Sequence, residues 1–381
     1  MTNKVGLLLP RSALYPSINF DLVGGLRNGL LQAGIDNIEI KTENIGLGDD
    51  EKLIYANCER MLFDGVSIIA GYVNPITAEK LQLLFANAGA IFIALDAGYH
   101  FPIVYDTLPN VFTISLQGAL CCRAVVKIAA QEGKKKFAYI SSFYEAGYRG
   151  AFAFARSLED ENGAITFNHI TPLKRSDFTL EPLAWHLQEP TADGVLACFC
   201  GDMLQDFCTE AAKKNMFEAH PVYGSSFMGD EQWLAKSIYP GSDIKVCVPW
   251  ASKLNNEANH TFINKMTTQK ANVFSLLGWE AAHLIAAAIK ADNINDAITL
   301  LEHYTFEGPR GSMAMDATHH ELLSPIYEAA VKKDETTGNC LLQPMGEVSF
   351  VAEQRIKVWD DIRVFNGEGT SWFNTYGCIG S

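Results

Sequence analysis

The sequence predicts an α/β protein with two doubly wound lobes, and two observations carry this prediction. Ten short apolar runs, rich in β-branched residues, alternate with segments of helical periodicity. These runs fall into two sets of five whose starting positions differ by 127–133 residues, so the two halves repeat one order of elements. The first set spans residues 4–10, 38–45, 65–71, 90–98 and 111–115, and the second spans 135–142, 165–172, 194–201, 220–227 and 244–250.

The segments between the apolar runs have the spacing of helices that pack on a sheet. Leu22, Leu26 and Leu30 recur at every fourth position after a possible N-cap at Asn19. The strand-like runs are almost continuously apolar, which is typical of parallel strands covered by helices on both faces. Each half is therefore predicted to be a parallel sheet between two helical layers.

Composition and charge exclude several classes of protein. A chain of 381 residues, 48% hydrophobic and 19% charged, suits a soluble protein with two domains. Its formal charge of −14 opposes binding to nucleic acid, which requires clustered Lys and Arg side chains. The charge therefore predicts no nucleic-acid partner. No stretch approaches the roughly 18 apolar residues of a membrane span, so we also predict no membrane insertion.

The compartment follows less directly from the sequence. Residues 1–4 lead straight into the first strand-like run, without the pattern of an export signal. We therefore expect a periplasmic protein if a signal has been removed, and a cytoplasmic protein otherwise. The nine cysteines, several of them inside apolar runs, favour free buried thiols and a reducing compartment.

Catalytic and metal-binding patterns are scarce. The Gly-rich phosphate loops are missing, and residues 224–229 have the wrong spacing for a nucleophile elbow. Cys198 and Cys200 lie on one face of a predicted buried strand, which favours packing over redox chemistry. His319 and His320 lack an acidic or Cys companion at ligand spacing. We predict no enzyme activity, no cofactor and no metal site.

Several strand-like runs end in turn-forming residues directly before a helix. These turns are residues 10–12, 71–75, 96–98 and 224–226. In an open α/β sheet, ligands bind outside the carboxyl ends of the strands, where helix N-termini offer free N–H groups. The turns therefore predict a ligand-binding cleft.

Four segments also resemble a known family. The chain opens with KVGLLLP at 4–10 and a helix that carries GGLRNG at 24–29, and residues 71–94 run through strand, polar turn, helix and strand. The most specific segment is FEGPRGSMAMD at 306–316, followed by the His pair. Together they resemble the type I periplasmic binding proteins for branched-chain amino acids, amides and urea, and the last segment resembles the amide- and urea-binding branch.

This resemblance implies two Rossmann-like lobes with a ligand cleft between them and three hinge crossovers. The N-terminal lobe would comprise residues 1–118 and 251–325, and the C-terminal lobe residues 119–250 and 326–381. Residues 354–365 would form a late strand of the second lobe, and 366–381 a loose tail.

The resemblance also implies ligand-binding positions. Where family members use Ser or Thr at two first-lobe turns, this chain has Asn74 with Pro75, and Asp96 with Ala97 and Gly98. The remaining expected contacts are Tyr144, Tyr148, Cys200, Asp202, Ser226 and Phe274. Because residues 225–227 lack the acid that meets a ligand ammonium in amino-acid binders, Asp202 or Asp96 would take that role.

The implied function is a receptor that closes around a small polar metabolite, such as an amino acid, an amide or a urea-like compound. Its partner would be the permease of an ABC transporter. The alternative is a cytoplasmic amide or amino-acid sensor that acts through a regulatory partner protein.

Overall fold

The computed structural model describes residues 4–101, 107–146, 148–268 and 270–364. These residues form two compact units, and within residues 4–364 the described chain passes from one unit to the other three times. The described part of unit 1 comprises residues 4–116 and 254–325, and that of unit 2 comprises residues 117–253 and 326–364.

Strands and helices alternate through most of the described chain. The strands are β1 (Lys4–Leu9), β2 (Glu39–Asn44), β3 (Ile68–Tyr72), β4 (Ile91–Asp96), β5 (Val111–Ser115), β6 (Lys136–Ser141), β7 (Ala164–Ile170), β8 (Gly194–Cys198), β9 (Val222–Gly224), β10 (Ile244–Val248), β11 (Thr305–Gly308), β12 (Gly311–Asp316), β13 (Glu321–Leu323), β14 (Tyr327–Lys333) and β15 (Cys340–Glu347). The helices are α1 (Ile18–Gln32), α2 (Glu51–Phe63), α3 (Pro75–Ala88), α4 (Gly118–Gln131), α5 (Arg149–Asp160), α6 (Glu181–His186), α7 (Gly201–Lys214), α8 (Glu231–Leu234), α9 (Glu257–Lys265), α10 (Val273–Ile289), α11 (Ile294–Glu302) and α12 (Val351–Val364).

Both sheets repeat one strand order. In unit 1 the order is β11-β12-β13-β5-β4-β3-β1-β2, and in unit 2 it is β15-β14-β10-β9-β8-β6-β7. The five parallel strands of each half therefore follow the same doubly wound sequence, with later strands added at one side. Of these added strands, β13 pairs in parallel with β5, whereas β14 pairs antiparallel with β10. All ten predicted strands are present, and the prediction of two α/β lobes is confirmed.

Unit 1 depends on a close contact between α1 and α10. The contact requires glycine, because a Cβ on Gly25 would lie 1.9 Å from the Ser275 carbonyl oxygen. A Cβ on Gly278 would lie 2.3 Å from the Leu22 carbonyl oxygen. Leu22 and Leu26 are completely buried, as the spacing predicted. The predicted cap at Asn19 is wrong, because α1 already begins at Ile18.

A buried ion pair joins the β11–β12 hairpin to α10. The Arg310 guanidinium donates to both carboxylate oxygens of Glu280, at 2.8 Å and 2.5 Å, and both side chains are fully buried. Arg310 also donates to the carbonyl oxygen of Ser115 at the end of β5, at 2.9 Å. This bidentate contact explains why the segment 306–316 carries an arginine at its turn.

The prediction of a strand at 354–365 is wrong, because residues Val351–Val364 form α12. The buried face of this helix is partly polar. Arg123, buried in α4, donates to Gln354 at 3.2 Å and to Asp361 at 2.7 Å, and also pairs with Asp160. Apolar periodicity misses such a face because Gln and Asp count as exposed residues in the pattern. Residue 365 and the predicted tail at 366–381 lie outside the described residues.

Candidate functional site

Aromatic side chains gather where β1 and β3 end in unit 1. Phe274, in the first turn of α10, makes edge-on contacts with Tyr15 and Tyr72, at centroid distances of 4.8 Å and 6.1 Å. Tyr72 is the last residue of β3, and Tyr15 lies between β1 and α1. Phe274 is fully buried in this cluster. The cluster gives this end of the sheet an apolar wall.

The turn after β3 is held by its own side chain. Asn74 caps α3, because its side-chain oxygen accepts from the backbone N–H of Thr77 at 2.9 Å. Pro75 occupies the first position of the helix, where the missing N–H costs nothing. The Asn74 oxygen is thus engaged in the cap, and its side-chain NH₂ group is the part that could donate to a ligand.

Asp96 ends the neighbouring strand β4. It lies opposite Ser115 of β5 in the parallel register, and its side chain is 5% exposed. Ala97 is buried, and Gly98 adopts a φ of +75°, which lets the chain turn sharply after the strand. The structure therefore brings five predicted residues to the adjacent ends of β3 and β4, namely Asn74, Pro75, Asp96, Ala97 and Gly98.

In unit 2 the predicted residues follow β6, β8 and β9, which are adjacent in the sheet. The turn after β6 is tied to β8, because the Ser142 N–H donates to the Cys198 carbonyl oxygen at 3.2 Å. Tyr144 is half-buried in this turn, and Tyr148, just before α5, is 4% exposed. Ser226 begins a short helical turn after β9 and is 7% exposed.

Asp202 has a partner that the sequence did not reveal. Its carboxylate accepts from Arg175 at 2.5 Å, and Arg175 also donates to Asp206 at 2.6 Å. Asp202 lies in the first turn of α7, directly after Cys200 and Gly201, and its side chain is 30% exposed. Since Asp202 already shares the Arg175 guanidinium with Asp206, it is a poorer partner for a ligand cation than the sequence indicated.

Glu145 is the buried acid that sequence reasoning missed. It is 7% exposed, and the Cys198 thiol donates to its carboxylate at 3.2 Å. Burial raises the pKa of Glu145, and the hydrogen bonds from Cys200 and Cys198 oppose this rise only in part. Burial and the neighbouring carboxylate raise the pKa of the Cys198 thiol well above its usual value, so it remains a protonated donor. The only sequence signal for Glu145 is its place in the turn that carries Tyr144.

The His pair belongs to unit 1 and is engaged with acids. His319 lies 2.7 Å from Asp316, and His320 lies 3.2 Å from Glu302 and stacks on Phe112. These acidic partners differ from the expectation that the pair has none. Over the residues the structure describes, no group of three or more His, Cys, Asp or Glu side chains is arranged to hold a metal ion.

None of the helices in residues 4–101, 107–146, 148–268 and 270–364 is both long enough and apolar enough to cross a bilayer.

Comparison with known proteins assigns the chain to a family. The family model described as "Periplasmic binding protein" matches residues 2–336. A search of curated protein sequences finds no significant match.

Solved structures share the fold at low identity. A solute-binding protein of an ABC transporter from R. palustris, in complex with benzoate, is 21% identical, with a TM-score of 0.73 over 91% of this chain and 96% of that one. An ABC transporter substrate-binding protein from Sphaerobacter thermophilus is 16% identical, with a TM-score of 0.75 over 91% and 98%. The leucine-, isoleucine-, valine-, threonine- and alanine-binding protein from Brucella ovis is 14% identical, with a TM-score of 0.72 over 90% and 95%. With a family model that matches most of its length and two lobes of the same architecture, this chain belongs to the periplasmic binding protein family.

Proposed function

We propose that this protein is the solute receptor of an ABC-type importer and that it binds a small polar metabolite. The proposal includes an amino acid, an amide or a urea-like compound as the ligand, and the permease of the importer as the protein partner. We also propose that the protein binds this ligand without catalysing a reaction. The family match over residues 2–336 supports it most directly.

The arrangement in unit 1 supports a polar ligand. Asp96 and the Asn74 amide lie at neighbouring strand ends, beside the aromatic cluster of Phe274. Apolar walls with a few polar groups are typical of small-molecule sites, and strand carboxyl ends are their usual place in open sheets. In unit 2, Tyr148, Cys200 and Ser226 occupy the corresponding ends of β6, β8 and β9.

The names of the structural neighbours support a small ligand and leave its class to experiment. One neighbour is a complex with benzoate, another with 3,4-dihydroxybenzoic acid, and a third is named for five amino acids. The side chains at the strand ends here favour a ligand with amide or amine N–H groups, because Asp96 supplies acceptors.

The test is direct binding with matched variants. Purified protein is titrated calorimetrically against amino acids, amides, urea and benzoates, beginning with compounds that raise its melting temperature. We expect Asp96→Asn to weaken binding about tenfold or more, because a buried charged acceptor is lost. Exposed Asp36 supplies the control, and Asp36→Asn leaves the affinity unchanged.

Two results would contradict the proposal. Failure of the whole panel to bind would refute the receptor function. Undiminished affinity in both Asp96→Asn and Asp202→Asn would refute the role of these two acids in recognising the ligand.

One observation favours the alternative of a cytoplasmic sensor. Eight cysteines within the described residues are free and buried, as in proteins of reducing compartments. We therefore propose fractionation of cells that express the native gene as the deciding test. Recovery with periplasmic markers supports the importer receptor, and recovery with cytoplasmic markers supports the sensor and its regulatory partner.

A further inference from the structure

One buried carboxyl group in unit 2 has unusual surroundings. Glu145 follows β6, and Cys198 ends the adjacent strand β8, where Ser141 and Cys198 lie opposite each other. The Glu145 side chain is 7% exposed and accepts hydrogen bonds from the Cys198 and Cys200 thiols. No ion pair joins it to a Lys, Arg or His side chain anywhere in the part of the chain that the structure describes.

Two other buried acids of this protein are paired with cations, whereas buried Asp21 has hydrogen bonds with Ser17 and Asn272. Glu280 is held by Arg310, and Asp361 is held by Arg123 and Arg156. A thiol is a weak hydrogen-bond donor and carries no positive charge, so it balances a buried carboxylate poorly. Compared with Glu280 and Asp361, Glu145 is therefore the acid whose burial the chain itself compensates least.

The location of Glu145 is that of a ligand group. Its turn lies at the carboxyl end of a parallel sheet and carries Tyr144 and Tyr148 on either side of it. The turn is also held in place, because the Glu145 N–H donates to both the carbonyl and the hydroxyl oxygen of Ser142, each at 3.2 Å. A carboxylate that is fixed by its backbone and lacks a cation can receive one from a bound molecule.

We propose that Glu145 is a specificity-determining residue that accepts hydrogen bonds from an ammonium or amidinium group of the ligand. The inference rests on the proposed receptor function and narrows it to ligands with a cationic nitrogen. The charge of the ligand replaces the missing Lys, Arg or His partner, and its N–H groups are stronger donors than the two thiols.

The titratable groups around Glu145 simplify its behaviour with pH. Cys198 and Tyr139 are buried beside it, and burial raises the pKa of each well above its usual value. Both therefore remain neutral near pH 7, and Cys200 completes the set of thiols that contact the carboxyl group. A ligand cation lowers the pKa of Glu145, so binding releases a proton wherever the free protein holds this carboxyl group protonated.

The experiment compares wild type, Glu145→Gln and a matched control. Glu132→Gln is the control, because Glu132 is an exposed acid of the same unit that accepts from Tyr223 and pairs with Lys245 rather than with Cys198 or Cys200. Each protein is titrated with the standard amino acids, linear diamines and benzamidine. It is also titrated with counterparts that lack the cation, namely 4-methylpentanoate for leucine, benzamide for benzamidine and the corresponding alcohols for the diamines.

We expect wild type to bind at least one cationic probe at least about 30-fold more tightly than the counterpart that lacks the cation. In Glu145→Gln this preference collapses to within about threefold, while Glu132→Gln retains it. Absence of this preference in wild type refutes the proposal even if the Gln variant fails to fold.

The outcomes separate this inference from the receptor function. If wild type binds benzamide, 4-methylpentanoate or an alcohol as tightly as the cationic partner, the role of Glu145 is refuted and the receptor function stands. An unchanged preference in a folded Glu145→Gln variant also refutes it. If no probe binds, the role of Glu145 is refuted, and the wider panel of amides, urea and benzoates decides the receptor function.

Discussion

The buried ion pair of unit 1 allows a quantitative prediction. In Glu280→Gln the side-chain volume is kept, but the Arg310 guanidinium stays fully buried without its counter-charge. Breaking a buried pair from one side costs about 3–5 kcal/mol. Since the glutamine oxygen can still accept one of the two bonds from Arg310, we expect a loss at the lower end, about 3 kcal/mol.

Calorimetry checks this value. For a domain of roughly 150–250 residues, each kcal/mol shifts the melting temperature by about 2–4 °C, so the transition of unit 1 should fall by about 6–12 °C. Glu307→Gln, an exposed carboxylate on the same hairpin, is the control and should shift it by less than about 1 °C. In the double variant Glu280→Leu with Arg310→Met, most of the stability should return, because no buried charge remains.

The reasoning would be refuted by a particular pattern of stabilities. A loss below about 1 kcal/mol in Glu280→Gln would mean that water or another group compensates Arg310. A double variant less stable than the single one would mean that the pair contributes mainly through its charge interaction, rather than by avoiding an isolated charge.

Two further predictions concern the same unit. Burial lowers the pKa of His283 from 6.5 to about 4, so the contribution of the neutral imidazole to stability is complete above pH 6.5. This contribution, at most about 3 kcal/mol, is lost as the pH falls towards 4. Urea unfolding at pH 7 and 4.5 should show a smaller pH dependence of stability in His283→Gln than in wild type, and an equal pH dependence contradicts the assignment. Gly278→Ala should lower the free energy of unfolding in urea by at least about 2 kcal/mol, because its Cβ would press on the Leu22 carbonyl. The control Gly346→Ala, with open space around it, should change this free energy little, and equal losses in the two variants contradict the packing argument.

Much of the fold could be predicted from the sequence, because buried parallel strands leave a local record. Eight of the ten predicted parallel strands are almost continuously buried, whereas the edge strands β2 and β7 contain only exposed and half-buried residues. Helix α12 left no such record. Its buried face carries Gln354 and Asp361, whose partner Arg123 lies more than 200 residues earlier in the chain. Polar contacts of this range are invisible to a pattern of apolar residues.

The candidate site divides in the same way. The turns at Asn74 and Asp96 could be predicted, because each directly follows a strand that the sequence reveals. The partners of the acidic side chains could not be predicted. Asp202 is followed by a helix and looked available, but it is paired with Arg175, which lies 27 residues earlier. Glu145 stood in a turn with no special spacing, and its thiol partners come from the next strand of the sheet.

The sequence by itself determined the architecture of two doubly wound units and the polar turns at their strand ends. These follow from hydrophobic periodicity and turn residues, which act over a few positions along the chain. Only the tertiary structure decided which acid is neutralised and which is buried without a cation. Charge pairing and desolvation depend on side chains that folding brings together from distant positions, as Cys198 and Glu145 are.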